Sequence, residues 1–195
     1  MKILLFGGFL GAGKTSTILQ VARQLTANAA TVAIIENEIG EVGIDDQLLA
    51  DGGLKVRPLF GGCVCCQITG DLIRAINEIE ETIKPEWLIV EMTGIAIPGS
   101  TAALVKKYCP GRACKVVTLV DGGRWFELRE MLEPLICSQL AGSDLVILNK
   151  IDIAGENLAK IGDDLVRIVG RVPVVTASAN GLLPPAILAE VLRIG

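Results

Sequence analysis

Apolar residues come along this chain in short continuous runs, separated by stretches in which they recur every three or four positions. The runs predict strands over Ile3–Gly8, Val32–Glu36, Val56–Phe60, Trp87–Met92, Val116–Val120, Leu145–Leu148 and Val172–Thr176. The helix-period stretches predict helices over Lys14–Leu25, Asp71–Ile83, Ser100–Tyr108, Trp125–Ala141, Gly155–Val169 and Pro185–Leu192. Runs such as "LIVEM", "KVVTLV" and "LVILN" are apolar throughout instead of alternating, as in strands covered on both faces. Such strands alternating with helices predict an α/β fold, a doubly wound and mostly parallel sheet flanked by helices.

The composition narrows this picture. Of the 195 residues 51% are hydrophobic and only 4% aromatic, so one domain with an aliphatic core is expected over 1–195. No repeat or linker interrupts it. The formal net charge is −4 and no basic block stands out, which argues against nucleic acid or an anionic membrane surface as a partner. The opening "MKILLFGGFLGA" runs directly into a polar "GKTS", so it reads as a first strand and not a signal peptide. No apolar stretch is long enough to span a bilayer, and the expected location is the cytoplasm.

The richest chemistry follows the first strand. "GFLGAGKT" fits G-x-x-x-x-G-K-[ST] with Gly8, Gly13, Lys14 and Thr15. Gly8, Gly11 and Gly13 free the backbone to turn around an oxygen cluster, and the amides of Gly11 to Ser16, Ala12 included, form an anion nest at a helix start. Lys14 is expected to reach the β- and γ-phosphates and Thr15 to ligate Mg²⁺. Glu91, ending a buried strand in "LIVEMTG", is the expected partner of that ion, and Gly94 offers a bare amide to the γ-phosphate.

A second strand end selects the base. In "LVILNKID", Asp152 can accept from both guanine N–H groups, an arrangement adenine lacks. Asn149 can tie this turn to the phosphate loop, and the Lys150 stem can cover the base. Ser178-Ala179 in "TASANG" supply amides for the guanine oxygen, with Thr176-Ala177 an alternative of nearly equal fit. The expected ligand is GTP or GDP.

The remaining unusual residues point to a transition metal. The chain has six cysteines and no histidine. Cys63, Cys65 and Cys66 crowd into "GGCVCC". C-x-C-C is too tight for all three to grip one ion, so two thiolates with carboxylates, or thiolates from two subunits, are expected. Soft sulfur fits Zn²⁺, Co²⁺, Ni²⁺ or Cu⁺. Ahead of it lies the acidic "ENEIGEVGIDD", residues 36 to 46. Cys109, Cys114 and Cys137 are scattered and read as packing residues, as do Trp87, Trp125 and Tyr108.

The ordered set "GFLGAGKTS", "IENEIGEVGIDDQLL", "GGCVCC", "LIVEMTGIAIP" and "LNKID" resembles the CobW-like P-loop GTPases, relatives of the nickel-insertion GTPases of urease and hydrogenase. The resemblance runs from about Lys2 to Asp152. It implies a P-loop NTPase fold and slow GTP hydrolysis coupled to delivery of zinc, cobalt or nickel to a client metalloprotein. It also implies a metal site of Cys65 with Cys63 or Cys66, with Glu36 and Glu41 as carboxylate candidates. A nucleotide-dependent homodimer is a further implication. The C-terminal domain usual in the family is absent from these 195 residues. Two other activities stay open: a G-protein chaperone for a cobalamin-dependent enzyme such as a methyltransferase, and a metal-storage or sensor protein without useful turnover. A small-molecule kinase is disfavoured for want of an acceptor site. Glu38 and Asp46 are the candidates for the residue orienting the attacking water.

Overall fold

A computed structural model describes residues 1–36, 54–58, 67–178 and 181–194. Its strands are β1 (Lys2–Gly8), β2 (Val32–Glu36), β3 (Leu54–Pro58), β4 (Trp87–Glu91), β5 (Ala113–Asp121), β6 (Leu145–Asn149) and β7 (Val174–Thr176). The helices are α1 (Lys14–Ala27), α2 (Gln67–Thr82), α3 (Pro98–Tyr108), α4 (Trp125–Leu140), α5 (Ile151–Ala154), α6 (Leu158–Val169) and α7 (Pro185–Leu192), with a 3₁₀ turn over Gly155–Asn157.

The strands form one seven-stranded sheet in the order β3-β2-β4-β1-β5-β6-β7. Every pairing among the described residues is parallel. The expected doubly wound α/β fold is therefore observed. Alternate residues of the central strands feed opposite faces. Leu4, Phe6, Ile34, Ile89, Leu119 and Ile147 pack with α1 and α7. On the other face Ile3, Leu5, Ile35 and Val90 pack with α2 and α3, and Val120, Val146 and Leu148 with α4 and α6. Burial on both faces is what made these strands read as unbroken apolar runs.

Several boundaries differ from expectation. β3 begins two residues early and ends at Pro58, a residue tolerated in the outermost of the described strands. β5 starts at Ala113 and carries Lys115 into the interior, at 6% exposure. Lys115 is accommodated because its ammonium donates to the carbonyls of Glu190 and Arg193 (the latter at 2.9 Å), capping the end of α7. The helix expected to start at Gly155 is preceded by a separate single-turn α5. Lys150, at φ 61°, turns the chain out of β6 directly into it. α4 bends: Leu132 leaves helical geometry at φ −135°, two residues before Pro134, whose ring disfavours a straight helix.

In a parallel sheet every strand ends at the same rim. Gly8, Glu36, Glu91, Asp121, Asn149 and Thr176 thus lie along one edge, on either side of β1 where the chain's direction of winding changes. Crevices of this kind are where α/β sheets bind ligands.

Candidate nucleotide site

The loop from Gly8 to Gly13 leaves β1 and enters α1. Gly8 has φ 125°, and a side chain there would strike the Leu119 carbonyl of β5. Gly13, at φ 98°, caps α1, and a Cβ on it would collide with the Asn149 amide. These two positions admit only glycine, for backbone and for space. Lys14, the first residue of α1, is 4% exposed and its ammonium folds back to the Phe9 carbonyl at 3.5 Å. It therefore arches over the loop it follows.

Thr15 donates its hydroxyl to Glu91 Oε1 at 2.8 Å. Glu91 is 2% exposed at the end of β4, and Glu36 at the end of β2 stands beside it in register. Glu36, Glu91 and α1 share one face of the sheet, since Ile34 and Ile89, two residues back, pack on α1. Glu36 therefore stands one strand, roughly 4.8 Å, from Glu91. Gly94 abuts the phosphate loop: a Cβ there would lie 2.7 Å from the Leu10 nitrogen.

The base-binding candidates also meet. Asn149 donates to the Ala12 carbonyl at 2.9 Å, joining the end of β6 to the phosphate loop. Ser178 donates to Asp152 Oδ1 at 2.9 Å. The Ala177 amide donates to the Leu148 carbonyl at 2.8 Å. Ser16 follows Thr15 on the first turn of α1, and Gly11 has φ 77° within the loop. Glu41, Cys63, Cys65, Cys66 and Ala179 lie outside the described residues, as do Glu38 and Asp46. Among the described residues no group of three His, Cys, Asp or Glu side chains is placed to hold a metal. Burial, then the nearby Asp144 and Cys109, push the Cys114 thiol up to about 12.

Three residues at this rim escaped the sequence reading. Asp121 ends β5, opposite Asn149, and accepts from Lys150 Nζ at 2.8 Å, Arg124 Nε at 3.0 Å and the Gly123 amide at 3.0 Å. Burial alone would raise its carboxyl, but the hydrogen bonds and charges of Lys150 and Arg124 outweigh that and hold it below the usual carboxylate range. Arg124 also donates through Nη2 to the Leu10 carbonyl. Gln139, buried in the second half of α4, donates to the carbonyls of Gly94 at 2.8 Å and Ala96 at 3.2 Å. The signal for Asp121 was present, an acid closing the apolar run "KVVTLV"; Gln139 has none beyond its helical setting.

No helix among the described residues is long and apolar enough to cross a membrane. Residues 2–176 match the family model described as the CobW/HypB/UreG nucleotide-binding domain. The chain is 33% identical over 190 residues to the zinc chaperone YjiA of Escherichia coli, covering 91% of this chain and spanning 58% of the length of that relative. It superposes on the crystal structure of the Zn(II)-bound YjiA GTPase from E. coli with a TM-score of 0.69 at 27% identity, over 96% of this chain and 60% of the other. The hydrogenase maturation factor HypB from Archaeoglobus fulgidus shares the fold, with a TM-score of 0.69 at 16% identity over 91% and 81% of the two chains. A phosphate loop bonded to an N-K-x-D turn, the parallel sheet that presents them and the match over 2–176 lead to one assignment: this chain belongs to the CobW/HypB/UreG nucleotide-binding family.

Proposed function

We propose that this chain binds and hydrolyses GTP and uses the nucleotide state to hold or release a transition metal, zinc first, for a client protein. The observation that carries the proposal is the junction at Glu91. There the hydroxyl of the phosphate-loop Thr15 and the root of the acidic segment at Glu36 converge on one strand end. The similarity to a zinc chaperone supports zinc over cobalt or nickel as the cargo.

The residues divide the work as follows. The loop amides and Lys14 take the phosphates; positioned positive charge, not covalent chemistry, accounts for most of phosphoryl-transfer catalysis. Asp152 accepts the guanine N–H groups, Ser178 steadies that carboxylate, and the Lys150 stem covers the purine. Gly94 lies against Leu10, so a γ-phosphate on the loop meets the backbone following β4. Thr15 Oγ1 and Glu91 Oε1, hard oxygen donors 2.8 Å apart, fit Mg²⁺, which would neutralise charge on the phosphates when bound. Cys65 with Cys63 or Cys66, and Glu36 or Glu41, are the proposed cargo ligands. Loss of the γ-phosphate then loosens the metal through the acidic segment they share.

The deciding experiment is a titration with Zn²⁺, Co²⁺ and Ni²⁺ in the presence of a non-hydrolysable GTP analogue and then of GDP. A zinc affinity that differs at least tenfold between the two states is expected, about 1.4 kcal/mol of coupling. An affinity indifferent to nucleotide would remove metal delivery and leave a GTPase.

A further inference from the structure

Asp121 stands between the two halves of the nucleotide site. Its side chain is 1% exposed, yet it faces two cations. Lys150 Nζ and Arg124 Nε approach the same oxygen, Oδ2, at 2.8 and 3.0 Å, while Oδ1 takes the Gly123 amide at 3.0 Å. The far end of Arg124 reaches the Leu10 carbonyl in the phosphate loop. Lys150 belongs to the turn that carries Asp152. Two cations this close repel one another, and a full negative charge between them makes the arrangement favourable. An asparagine in this place would present at most one acceptor and no charge.

We infer that Asp121 is a positioning residue that couples base recognition to phosphate binding: it fixes Lys150 on one side and Arg124 on the other, so that filling either subsite orders the other. The direct Asn149–Ala12 bond joins the same two segments through neutral groups. Asp121 adds a charged link that a substitution can cut separately. The inference rests on the guanine-nucleotide reading of the site.

The test is to measure GDP and inorganic pyrophosphate binding to the chain and its variants, by calorimetry or by competition with a fluorescent nucleotide. Apart from its bond to Asp121, Arg124 reaches the phosphate side, through the Leu10 carbonyl. Without coupling, Arg124→Gln would weaken GDP and pyrophosphate by the same factor. With coupling, the ratio of the two affinities shifts about threefold or more. In a second arm, Lys150→Met weakens GDP about tenfold in the parent chain and less than about threefold in Asp121→Asn, where the lysine has already lost its anchor. Equal losses of both ligands in Arg124→Gln, or an undiminished Lys150→Met effect in Asp121→Asn, overturn the inference. Should Asp121→Asn not fold, the Arg124→Gln arm decides alone, since that side chain is 41% exposed. A parent chain that binds pyrophosphate but not GDP removes the guanine reading itself, and the inference with it.

Discussion

Asp152 and Ser178, bonded at 2.9 Å, are the residues proposed to choose the base. Asp152→Asn replaces two acceptor positions by one acceptor and one donor, which suits a purine with a carbonyl at position 2. GTP affinity should fall at least about tenfold while XTP gains, as competition assays would register; equal affinity for GTP before and after would put the base elsewhere. Lys14→Ala removes the ammonium that arches over the loop, and turnover should drop about 10²-fold or more with the fold intact by circular dichroism. Asp121 carries a pH signature. Its folded carboxyl lies below its ordinary 3.8, so its stabilising contribution is complete above that value and is lost as pH falls through the lower, folded one. The difference in melting temperature between the parent chain and Asp121→Asn should therefore be widest near neutrality and shrink below pH 4; a gap independent of pH would contradict the charged pair. Residues of this kind were legible where an acid or amide closed an apolar run, as at Glu91 and Asn149. Gln139 was not, because a glutamine inside a helix looks the same in sequence whether it faces solvent or two carbonyls.

Among the elements, α4 does most to hold the rim in shape. Arg124, the residue that caps its N-terminus, contacts the phosphate loop, and its second half carries Gln139's grip on the backbone after β4. The bend at Leu132 lies between the two contacts. Gln139→Leu leaves the buried Gly94 carbonyl and the half-buried Ala96 carbonyl without that donor. The segment holding Gly94 should loosen, weakening a GTP analogue several-fold more than GDP; equal weakening of the two would confine Gln139 to packing. The first half of α4 is fastened to α6 by Asp164, which accepts from Trp125 Nε1 at 2.9 Å and Arg129 Nε at 3.2 Å. Asp164→Ala strands the buried indole N–H and should cost about 1–3 kcal/mol in chemical denaturation. Periodicity revealed that α4 exists and where it begins. It concealed the bend, because the apolar pattern continues across Leu132 and the proline marks the break only two residues later. The short α5 was missed for a related reason: four residues give no period, and a non-glycine residue such as Lys150 gives no local sign of the left-handed turn it makes between β6 and α5.

At the scale of the molecule, every described strand pairing is parallel and the chemistry gathers at one rim. The sheet was legible from its unbroken apolar runs. Its strand order was not, because which strand lies beside β1 is settled by helix packing on two faces and leaves no local mark. The trailing rim, by contrast, holds turns such as 83–86 and 109–112, where Glu86 bonds Thr31 and Pro110 and Gly111 are exposed. The same direction of travel gives the experimentalist a quiet side. A short epitope inserted between Pro110 and Gly111 should report how much protein is folded while leaving nucleotide exchange untouched, and it would let the chain be tethered to a surface with its working edge turned outward.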